Sequence, residues 1–393
     1  MNKLGLCIVY KNWNYGSILQ SYATLLELRK QSVPYEIIRY EPKKGLAYYW
    51  AALPRLLLPD MRYSKLRLLR KKIGMWVHRD FAGNDSVRAQ AFQRFTEHNF
   101  DHFSRIITRY DELCQYAEQF DAVLVGSDQL WLPSGLDTNF FNLMFVPERV
   151  NKIAYAASFG VSAVPERQKK RTTEYLGRIQ HISVREHAGQ KLIRDLTGRD
   201  VPVIVDPTLV ISKQEWDANI PDQRLVQGPY IFCYFLGSCP EQRDAANDLR
   251  RKTGLKIVTL HHLDEYIPSD ESFGDEAPYL VGPSEFVNYI RHAAYVCTDS
   301  FHGSVFSAIN HKQFIAFNRY GKDAGNSRNS RLDSLFEQLG IERRFRGDIV
   351  SEMMETIGYE TVDQRLSSLR RTAEDYLTDA LSLRGGRNES DIG

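Results

Sequence analysis

Short apolar runs alternate with longer amphipathic stretches along the first half of the chain. Residues 4–10, LGLCIVY, predict a buried strand, whereas residues 17–31 repeat apolar side chains at helical spacing. A helix with a glycine stop is predicted at 189–200. Strands separated by helices predict a parallel sheet that is covered on both faces. Further strands are predicted where short apolar runs end in small or polar residues, at 35–40, 121–131, 152–160, 181–186 and 201–208.

The pattern weakens after residue 212 and then resumes. Residues 213–228 are polar and include Pro221 and Gly228, so we interpret them as a linker between domains. Alternation from 229 to 345 predicts a second doubly wound sheet, and residues 346–393 are left for a C-terminal helix and tail. The predicted fold class is therefore α/β, with two Rossmann-like parallel-sheet domains, 1–212 and 229–345, that face a cleft.

The composition is that of an ordinary soluble globular protein. The 393 residues include 43% hydrophobic and 25% charged residues, and the length is comfortable for two cores. The net charge of +2 neither favours nor excludes a nucleic-acid partner. The five cysteines have no CxxC spacing and indicate free thiols in a reducing compartment. The N-terminal apolar run is too short for a signal peptide, and no run is long enough to span a membrane, so we expect a cytoplasmic protein.

Familiar catalytic and cofactor motifs are missing from the sequence. No strand–helix junction has GxGxxG or GxxxxGK[ST], which weakens a dinucleotide or P-loop interpretation. No HExxH motif or Cys/His ligand set predicts a metal site. No GxSxG elbow marks a nucleophilic serine, although a Ser-His-Asp triad stays open.

The candidate chemistry lies where predicted strands end, because ligands of open α/β sheets bind beyond the carboxyl ends of the strands. In residues 296–310, VCTDSFHGSVFSAIN, Ser300 is a suitable helix N-cap, and His302 and Gly303 fall in the first turn. Unpaired backbone N–H groups and the helix dipole favour an anion at such a place. The alternative is a capped helix with a histidine filling the junction.

Two other junctions place charged groups at predicted strand ends. Arg185 and Glu186 follow the run HISV, and an arginine there can bind a carboxylate or phosphate with two hydrogen bonds. The alternative for this pair is a surface ion pair. Ser127 and Asp128 follow the run AVLVG, and Asp128 is suited to orient or deprotonate a hydroxyl. Simple turn formation is the alternative there.

The loop before the first predicted helix holds Asn14, Tyr15 and Gly16. An aromatic ring with an amide suits a sugar, but a hydrophobic staple and a helix cap explain the residues equally well. Ser158 closes the predicted strand at 152–160 and on its own indicates only a structural role.

A basic loop follows the last predicted strand of the second sheet. Arg319, Lys322, Arg328 and Arg331 lie in a stretch rich in Gly, Asn and Ser, which is typical of a mobile anion-attracting loop. Solvated loop charge is the alternative.

Residues 43–79 interrupt the alternation with a basic, apolar insert. The segment holds ten Lys or Arg residues and a single acid, Asp60. On a helix, one face would carry Leu66, Leu69, Ile73 and Trp76. Such a pattern favours peripheral contact with an anionic membrane or a lipid-linked substrate. Nucleic acid is disfavoured because no RNP or helix-turn-helix pattern accompanies the charge. A helix that covers the first domain with its basic side in water is the alternative.

Taken together, these junctions resemble the polysaccharide pyruvyl transferase family. The resemblance covers most of residues 1–340 and depends on six motifs that occur in order: NYGSILQSYA, VGSDQLW, AYAASFG, SVRE, VDPTLV and TDSFHGSVFSAIN. It implies a GT-B-like pair of Rossmann-type domains. It also implies transfer of the enolpyruvyl unit of phosphoenolpyruvate to a sugar, usually as a cyclic ketal, during assembly of surface polysaccharide. The implied acceptor is often lipid-linked.

The resemblance also implies roles for single residues. Arg185 matches the arginine that holds phosphoenolpyruvate, and His302 matches the histidine of a Ser-Arg-Leu-His-Gly type motif. Ser300 stands where many members have arginine, so one expected anion contact is missing; either Arg319 or Arg331 replaces it, or the donor differs. His302 is then expected to act as a general acid or phosphate clamp.

The expected chemistry needs two positive sites, for a phosphate and a carboxylate, and these are supplied by Arg185 and the helix junction at His302. Asp128 or Glu186 is expected to position the sugar hydroxyl, and no metal or organic cofactor is required. Two other functions stay open: a nucleotide-sugar glycosyltransferase of the same GT-B shape, and a non-catalytic member of the fold. The expected place of action is the cytoplasm or the inner face of the cytoplasmic membrane.

Overall fold

The computed structural model describes residues 3–43, 59–133, 136, 139–319 and 330–382. Six strands form the first sheet: β1 (Leu4–Cys7), β2 (Tyr35–Tyr40), β3 (Phe103–Ile107), β4 (Ala122–Val125), β5 (Asn151–Ala157) and β6 (His181–Val184). They are all parallel and run in the order β3-β2-β1-β4-β5-β6. The chain reverses its direction of travel across the sheet between β1 and β4, which is where a doubly wound sheet opens a crevice for a ligand.

The second sheet is smaller and follows the same design. Its strands are β7 (Tyr230–Tyr234), β8 (Lys256–Thr259), β9 (Tyr295–Thr298) and β10 (Gln313–Ala316). They are parallel in the order β10-β9-β7-β8. The prediction of two parallel-sheet α/β units is therefore confirmed.

The helices of the described chain fill the connections. In the first half these are α1 (Tyr15–Lys30), α2 (Pro59–Val77), α3 (Arg79–Asn99), α4 (Tyr110–Ala117), α5 (Glu166–Arg178), α6 (His187–Thr197), α7 (Pro207–Val210) and α8 (Lys213–Asn219). In the second half they are α9 (Pro240–Thr253), a single 3₁₀ turn (Pro268–Asp270), α10 (Pro283–His292), α11 (Phe301–Ile309), α12 (Ser330–Leu339), α13 (Ile349–Met354) and α14 (Tyr359–Ser382). Among the described helices, none is both long enough and apolar enough to cross a membrane.

The two halves share a continuous apolar core beneath the cleft. Tyr15 of α1 is buried, and its ring stacks on Phe286 of α10 at 4.5 Å between centroids. Trp216 of α8 packs between Tyr22 of α1 and Phe306 of α11. Burial of such aromatic surfaces is the main favourable term that holds the two sheets in one arrangement.

Helix α14 returns from the second sheet to the first. The hydroxyl of Tyr376 donates to the carbonyl of Ala154 at 2.9 Å, and Nε of Arg370 donates to the carbonyl of Leu209 at 2.8 Å. The hydroxyl of Tyr359, at the start of the same helix, donates to the carbonyl of Lys312 in the second half, so α14 bridges the two halves of the molecule.

The strand predicted at 201–208 is wrong. Val203 makes only an isolated bridge to Val184, and α7 begins four residues later. Pro202 and Pro207 lack the N–H groups that a ladder needs, and the Asp206 carboxylate accepts a hydrogen bond from the Thr208 amide as a helix cap.

Other differences concern segments rather than sheets. The polar segment 213–228 does lie between the sheets, but it contains α8. The helix predicted in the basic insert is present as α2. Residues 44–58 of that insert, the tail at 383–393 and the loop residues Lys322 and Arg328 lie outside the described residues.

Candidate functional site

Arg185 lies at the centre of a buried charge network in the cleft. It follows β6, as the sequence predicted, and is 3% exposed. One guanidinium nitrogen, Nη1, donates to Oδ2 of Asp206 at 2.6 Å, and Nη2 lies 3.4 Å from Oδ1 of Asp128. Its Nε lies 3.7 Å from the Glu186 carboxylate and has no hydrogen-bond partner among the described residues. Phe301 covers the guanidinium face at 4.9 Å.

Three carboxylates therefore surround this one cation. Burial alone lowers the pKa of Arg185, but Asp206, Asp128 and Glu186 raise it further than burial lowers it. The carboxylates therefore hold the Arg185 guanidinium in a fixed position in the cleft.

Asp206 is the residue that sequence reasoning missed. Its Oδ1 accepts from the amide and hydroxyl of Thr208, and its Oδ2 accepts from Ser127 at 2.9 Å as well as from Arg185. Burial raises the pKa of this carboxyl, but His302 and Arg185 lower it by more, so it stays ionised. The signal was present in the motif VDPTLV, because Asp-Pro-Thr is a typical helix start.

His302 lies in the first turn of α11 and faces both halves of the molecule. It is buried, and its Nε2 lies 3.6 Å from Oδ1 of Asp206 without forming a hydrogen bond. A Cβ atom added at Gly16 of α1 would overlap with the imidazole ring. Gly16 therefore acts by having no side chain, which lets α1 approach His302 closely.

Asp128 follows β4 with a φ angle of 76°, in the left-handed region that non-glycine residues rarely adopt. Its Oδ2 accepts from the Ser17 hydroxyl at 2.5 Å, and its main-chain oxygen accepts from the amide of Ser158 at 3.1 Å. Burial raises the pKa of Asp128, whereas Arg185, His302 and Ser17 lower it, and the net direction is down. An ionised carboxylate that is partly open to solvent is suited to accept a hydrogen bond from a hydroxyl group.

Arg331 enters the cleft from α12 and has a different environment. Its Nε is buried without a hydrogen-bond partner, and no carboxylate in the described part of the chain lies within ion-pair distance of it. Burial lowers its pKa, repulsion from Arg185 and Arg319 lowers it further, and Glu186 and Asp128 oppose this with smaller effects, so that the pKa of Arg331 is about 10. Arg331 is therefore a half-buried positive charge without an ion-pair partner among the described residues, which is an unfavourable state that an anion would relieve.

Arg319 is held more firmly. Its Nη2 donates to the carbonyl of Asp299 at 3.1 Å, and its Nε lies 3.7 Å from the Asp299 carboxylate. That carboxylate in turn accepts from the amides of Leu236 and Gly237 at the end of β7. Arg319 and Asp299 thus link the segments that follow β7, β9 and β10, and Arg319 adds a positive charge to the cleft.

The predicted residues Ser300, Gly303 and Ser158 stabilise the backbone around the charge network. Ser300 caps α11 by accepting from the Gly303 amide at 3.3 Å, and a Cβ atom at Gly303 would lie 2.5 Å from Oγ1 of Thr298. Ser158 donates to the Glu186 carboxylate at 2.8 Å. These contacts fix the backbone from which Arg185 and His302 extend.

The polar groups of Asn14 and Tyr15 are already hydrogen-bonded within the protein. The Asn14 amide oxygen caps α1 by accepting from the Ser17 amide at 3.1 Å. The Tyr15 hydroxyl donates to the carbonyl of Val281 at 3.0 Å. The structure therefore shows helix capping for Asn14 and packing contacts for Tyr15.

A cavity of about 620 Å³ opens beside Asp128, beyond the ends of β1, β2 and β4. Its walls combine aromatic rings with polar groups, and we call it the Asp128 cavity. The lining that matters here consists of Tyr10, Asn12, Tyr40, Asp128, Gln129 and Phe140. Aromatic faces with a few convergent polar groups are typical of small-molecule sites.

A sequence model of the polysaccharide pyruvyl transferase family matches residues 14–320, which is most of the chain and contains Asp128, Arg185, Asp206 and His302 but not Arg331. The chain belongs to this family. The family is one of transferases that act on polysaccharide, and the resemblance drawn from the six motifs is confirmed. A search of curated protein sequences found no match to this chain.

Solved structures resemble the chain only in fold. UDP-GlcNAc 2-epimerase from Methanocaldococcus jannaschii, in complex with UDP-GlcNAc and UDP, is 11% identical with a TM-score of 0.50, over 96% of this chain and 99% of that one. The Neisseria meningitidis UDP-GlcNAc 2-epimerase is 11% identical with a TM-score of 0.48, over 97% and 99%. The wall teichoic acid polymerase TagF is 11% identical with a TM-score of 0.47, over 97% and 89%. The family member described here is thus GT-B-like, with two α/β units around a cleft.

Proposed function

We propose that this protein transfers the enolpyruvyl unit of phosphoenolpyruvate to sugar hydroxyls, with formation of a ketal, in surface polysaccharide assembly. The observation that carries the proposal is the half-buried, unpaired charge of Arg331, which lies close enough to Arg185 for the two cations to repel each other. Membership of the polysaccharide pyruvyl transferase family supports the same reaction class.

Phosphoenolpyruvate brings a phosphate and a carboxylate, and each needs a positive partner. Arg331 supplies charge that is not yet balanced, and the first-turn amides of α11 have no partner within their helix. Ser300, which stands where many family members have an arginine, caps the helix here. We propose that Arg331 supplies the missing positive charge from α12, whereas Arg185 positions the carboxylates around it.

The proposed reaction balances without a redox step. A proton adds to C3 of phosphoenolpyruvate while a sugar hydroxyl oxygen bonds to C2 and gives up its proton. The bond from C2 to the phosphate oxygen then breaks, phosphate leaves, and a second sugar hydroxyl closes the ketal. The second hydroxyl proton leaves with the phosphate. His302 is proposed to deliver the proton to C3 or to hold the phosphate, and Asp128 to orient the incoming hydroxyl.

The Asp128 cavity is the proposed acceptor site. Its rings suit the apolar face of a sugar, and its amides and carboxylate suit the hydroxyls. It adjoins Asp128, so a hydroxyl presented from the cavity would reach the same carboxylate that faces Arg185.

Calorimetric titration tests the proposal directly. Phosphoenolpyruvate is titrated into wild type, Arg331→Met and Arg185→Ala, beside UDP- and GDP-sugars. We expect Arg331→Met to weaken phosphoenolpyruvate binding by about tenfold to a hundredfold, the effect of losing one charged hydrogen bond. Removal of a half-buried, unpaired cation should leave the unfolding free energy unchanged or higher, so weaker binding would not reflect a lost fold.

Arg105→Met is the matched control, because Arg105 pairs with Glu112 on the surface. It should bind phosphoenolpyruvate like wild type. Binding of a nucleotide sugar without phosphoenolpyruvate would replace the proposal with a glycosyltransferase function. Binding of neither donor would favour a non-catalytic member of the family.

A further inference from the structure

Helix α2 presents a row of large apolar side chains to solvent. Successive helix residues are rotated by about 100°, so positions 66, 69, 73, 76 and 77 fall on one side of the helix. We call this row the α2 apolar face. Its exposed fractions are 46% for Leu66, 53% for Leu69, 51% for Ile73, 85% for Trp76 and 56% for Val77.

The opposite side of α2 is anchored to the protein. A Cβ atom at Gly74 would lie 2.6 Å from Cβ of Tyr266, so the helix backbone packs directly on the second half of the molecule. The ring of His78, just after the helix, stacks on Tyr266 at 3.8 Å. Lys71 bonds to Asp85 of α3 at 2.6 Å. These contacts hold one side of α2 and leave the α2 apolar face turned to solvent, and Leu68, outside that face, is 48% exposed as well.

Cations flank the α2 apolar face. Arg70 and Lys72 are exposed on its two sides. The sequence of α2 has Asp60 as its single acid, and the whole segment 43–79 has ten basic residues against that one. Apolar and aromatic residues also fill the sequence directly before α2, at 45–58. An exposed tryptophan, an aliphatic row and flanking cations are what an interfacial helix needs at an anionic lipid surface.

We propose that the α2 apolar face inserts into the headgroup region of an anionic membrane and holds the cleft at that surface. We favour a membrane over a protein partner for two reasons. An apolar protein surface would not require the flanking cations, and an acidic protein surface would not require Ile73 and Trp76 to be exposed. The proposal goes beyond the proposed reaction and does not depend on it, because no residue of the cleft network takes part.

Vesicle flotation tests this surface with the full chain. Wild type should float with phosphatidylcholine vesicles that contain phosphatidylglycerol and not with pure phosphatidylcholine, and high salt should weaken the binding. Ile73→Glu combined with Trp76→Glu should lower the bound fraction at least about tenfold, since a charge replaces each apolar anchor. Arg70→Gln and Lys72→Gln should each weaken binding by about fivefold. Binding should shift tryptophan emission to the blue, and Trp76→Phe should remove that shift.

Ile106→Glu is the matched control, because Ile106 is 48% exposed on edge strand β3. It should float like wild type. Equal flotation of wild type and Ile73→Glu/Trp76→Glu would overturn the proposal. Sedimentation velocity without lipid tests whether a second copy of the chain covers the face instead. If wild type is a dimer, the double variant is a monomer and neither floats with vesicles, the α2 apolar face is a dimer interface and the membrane proposal is wrong.

Discussion

At Gly16 the absence of a side chain decides where His302 can lie. Alanine is normally favoured over glycine inside a helix, but here the added Cβ would overlap with the imidazole ring. We predict that Gly16→Ala costs about 1–3 kcal/mol through overpacking. It should also slow phosphoenolpyruvate-dependent phosphate release by about a hundredfold, because a displaced acid is poorly placed for proton transfer.

The control for this substitution lies in α5. A Cβ atom added at Gly177 meets nothing within 4 Å, so Gly177→Ala should stabilise the protein by about 0.5–1 kcal/mol and leave the reaction rate unchanged. Urea unfolding and a phosphate-release assay measure both effects. Equal rates for Gly16→Ala and Gly177→Ala would remove His302 from the mechanism.

Asp206 links the charge network to the acid stability of the protein. Its pKa is lower in the folded than in the unfolded protein, so the folded state binds fewer protons in acid. The stabilisation is therefore complete above the usual aspartate pKa of about 4 and is lost as pH falls below it. We predict that Asp206→Asn lowers the unfolding free energy by about 3–5 kcal/mol at neutral pH and flattens its acid dependence.

Urea unfolding at several pH values measures that dependence. Asp195→Asn is the control, because Asp195 pairs with Lys191 on the surface, where such pairs contribute little. It should unfold with the wild-type pH profile. A wild-type acid slope in Asp206→Asn would mean that other carboxylates dominate the network.

At the scale of elements, α14 fastens the C-terminal end of the chain to the first sheet. Leu377 is fully buried on this helix, within the core that both halves share. We predict that Leu377→Ala costs about 2–5 kcal/mol, because the cavity it leaves is enclosed. Urea unfolding should show this loss, whereas Thr378→Ala on the exposed side of α14 should stay near wild type. A small effect of Leu377→Ala would show that α14 is detachable.

The elements show why sequence reasoning succeeded in part. The structure brings Arg185, Asp128 and His302 together, as expected for residues that each come within four positions of a strand end, because strand ends of parallel sheets meet at one edge. Strand β3 was missed because FSRII, at the sheet edge, is interrupted by Ser104 and Arg105 and makes no apolar run. The close approach of α1 to α11 depends on two helices far apart in sequence, so no local pattern could show what Gly16 does.

At the scale of the whole molecule, the site unites both halves. Arg185 and Asp128 follow strands of the first sheet, whereas His302 and Arg331 lie on helices of the second half. The apolar core beneath them is continuous. A ligand that binds between the halves should stabilise them together, because anything that binds only the folded state lowers the population of all open states.

Buried cysteines make this coupling measurable in each half. Cys7 in β1 and Cys297 in β9 are fully buried, so a thiol reagent reaches either one only when its sheet opens. We predict that phosphoenolpyruvate at a hundredfold its dissociation constant slows labelling of both thiols by about a hundredfold. Mass spectrometry of the labelled peptides follows each cysteine separately, and phosphoenolpyruvate should slow the labelling of Arg331→Met by only about twofold to tenfold at the same ligand concentration. Protection of Cys7 alone would place the donor in the first half without a contribution from α11, and would remove Arg331 from the site.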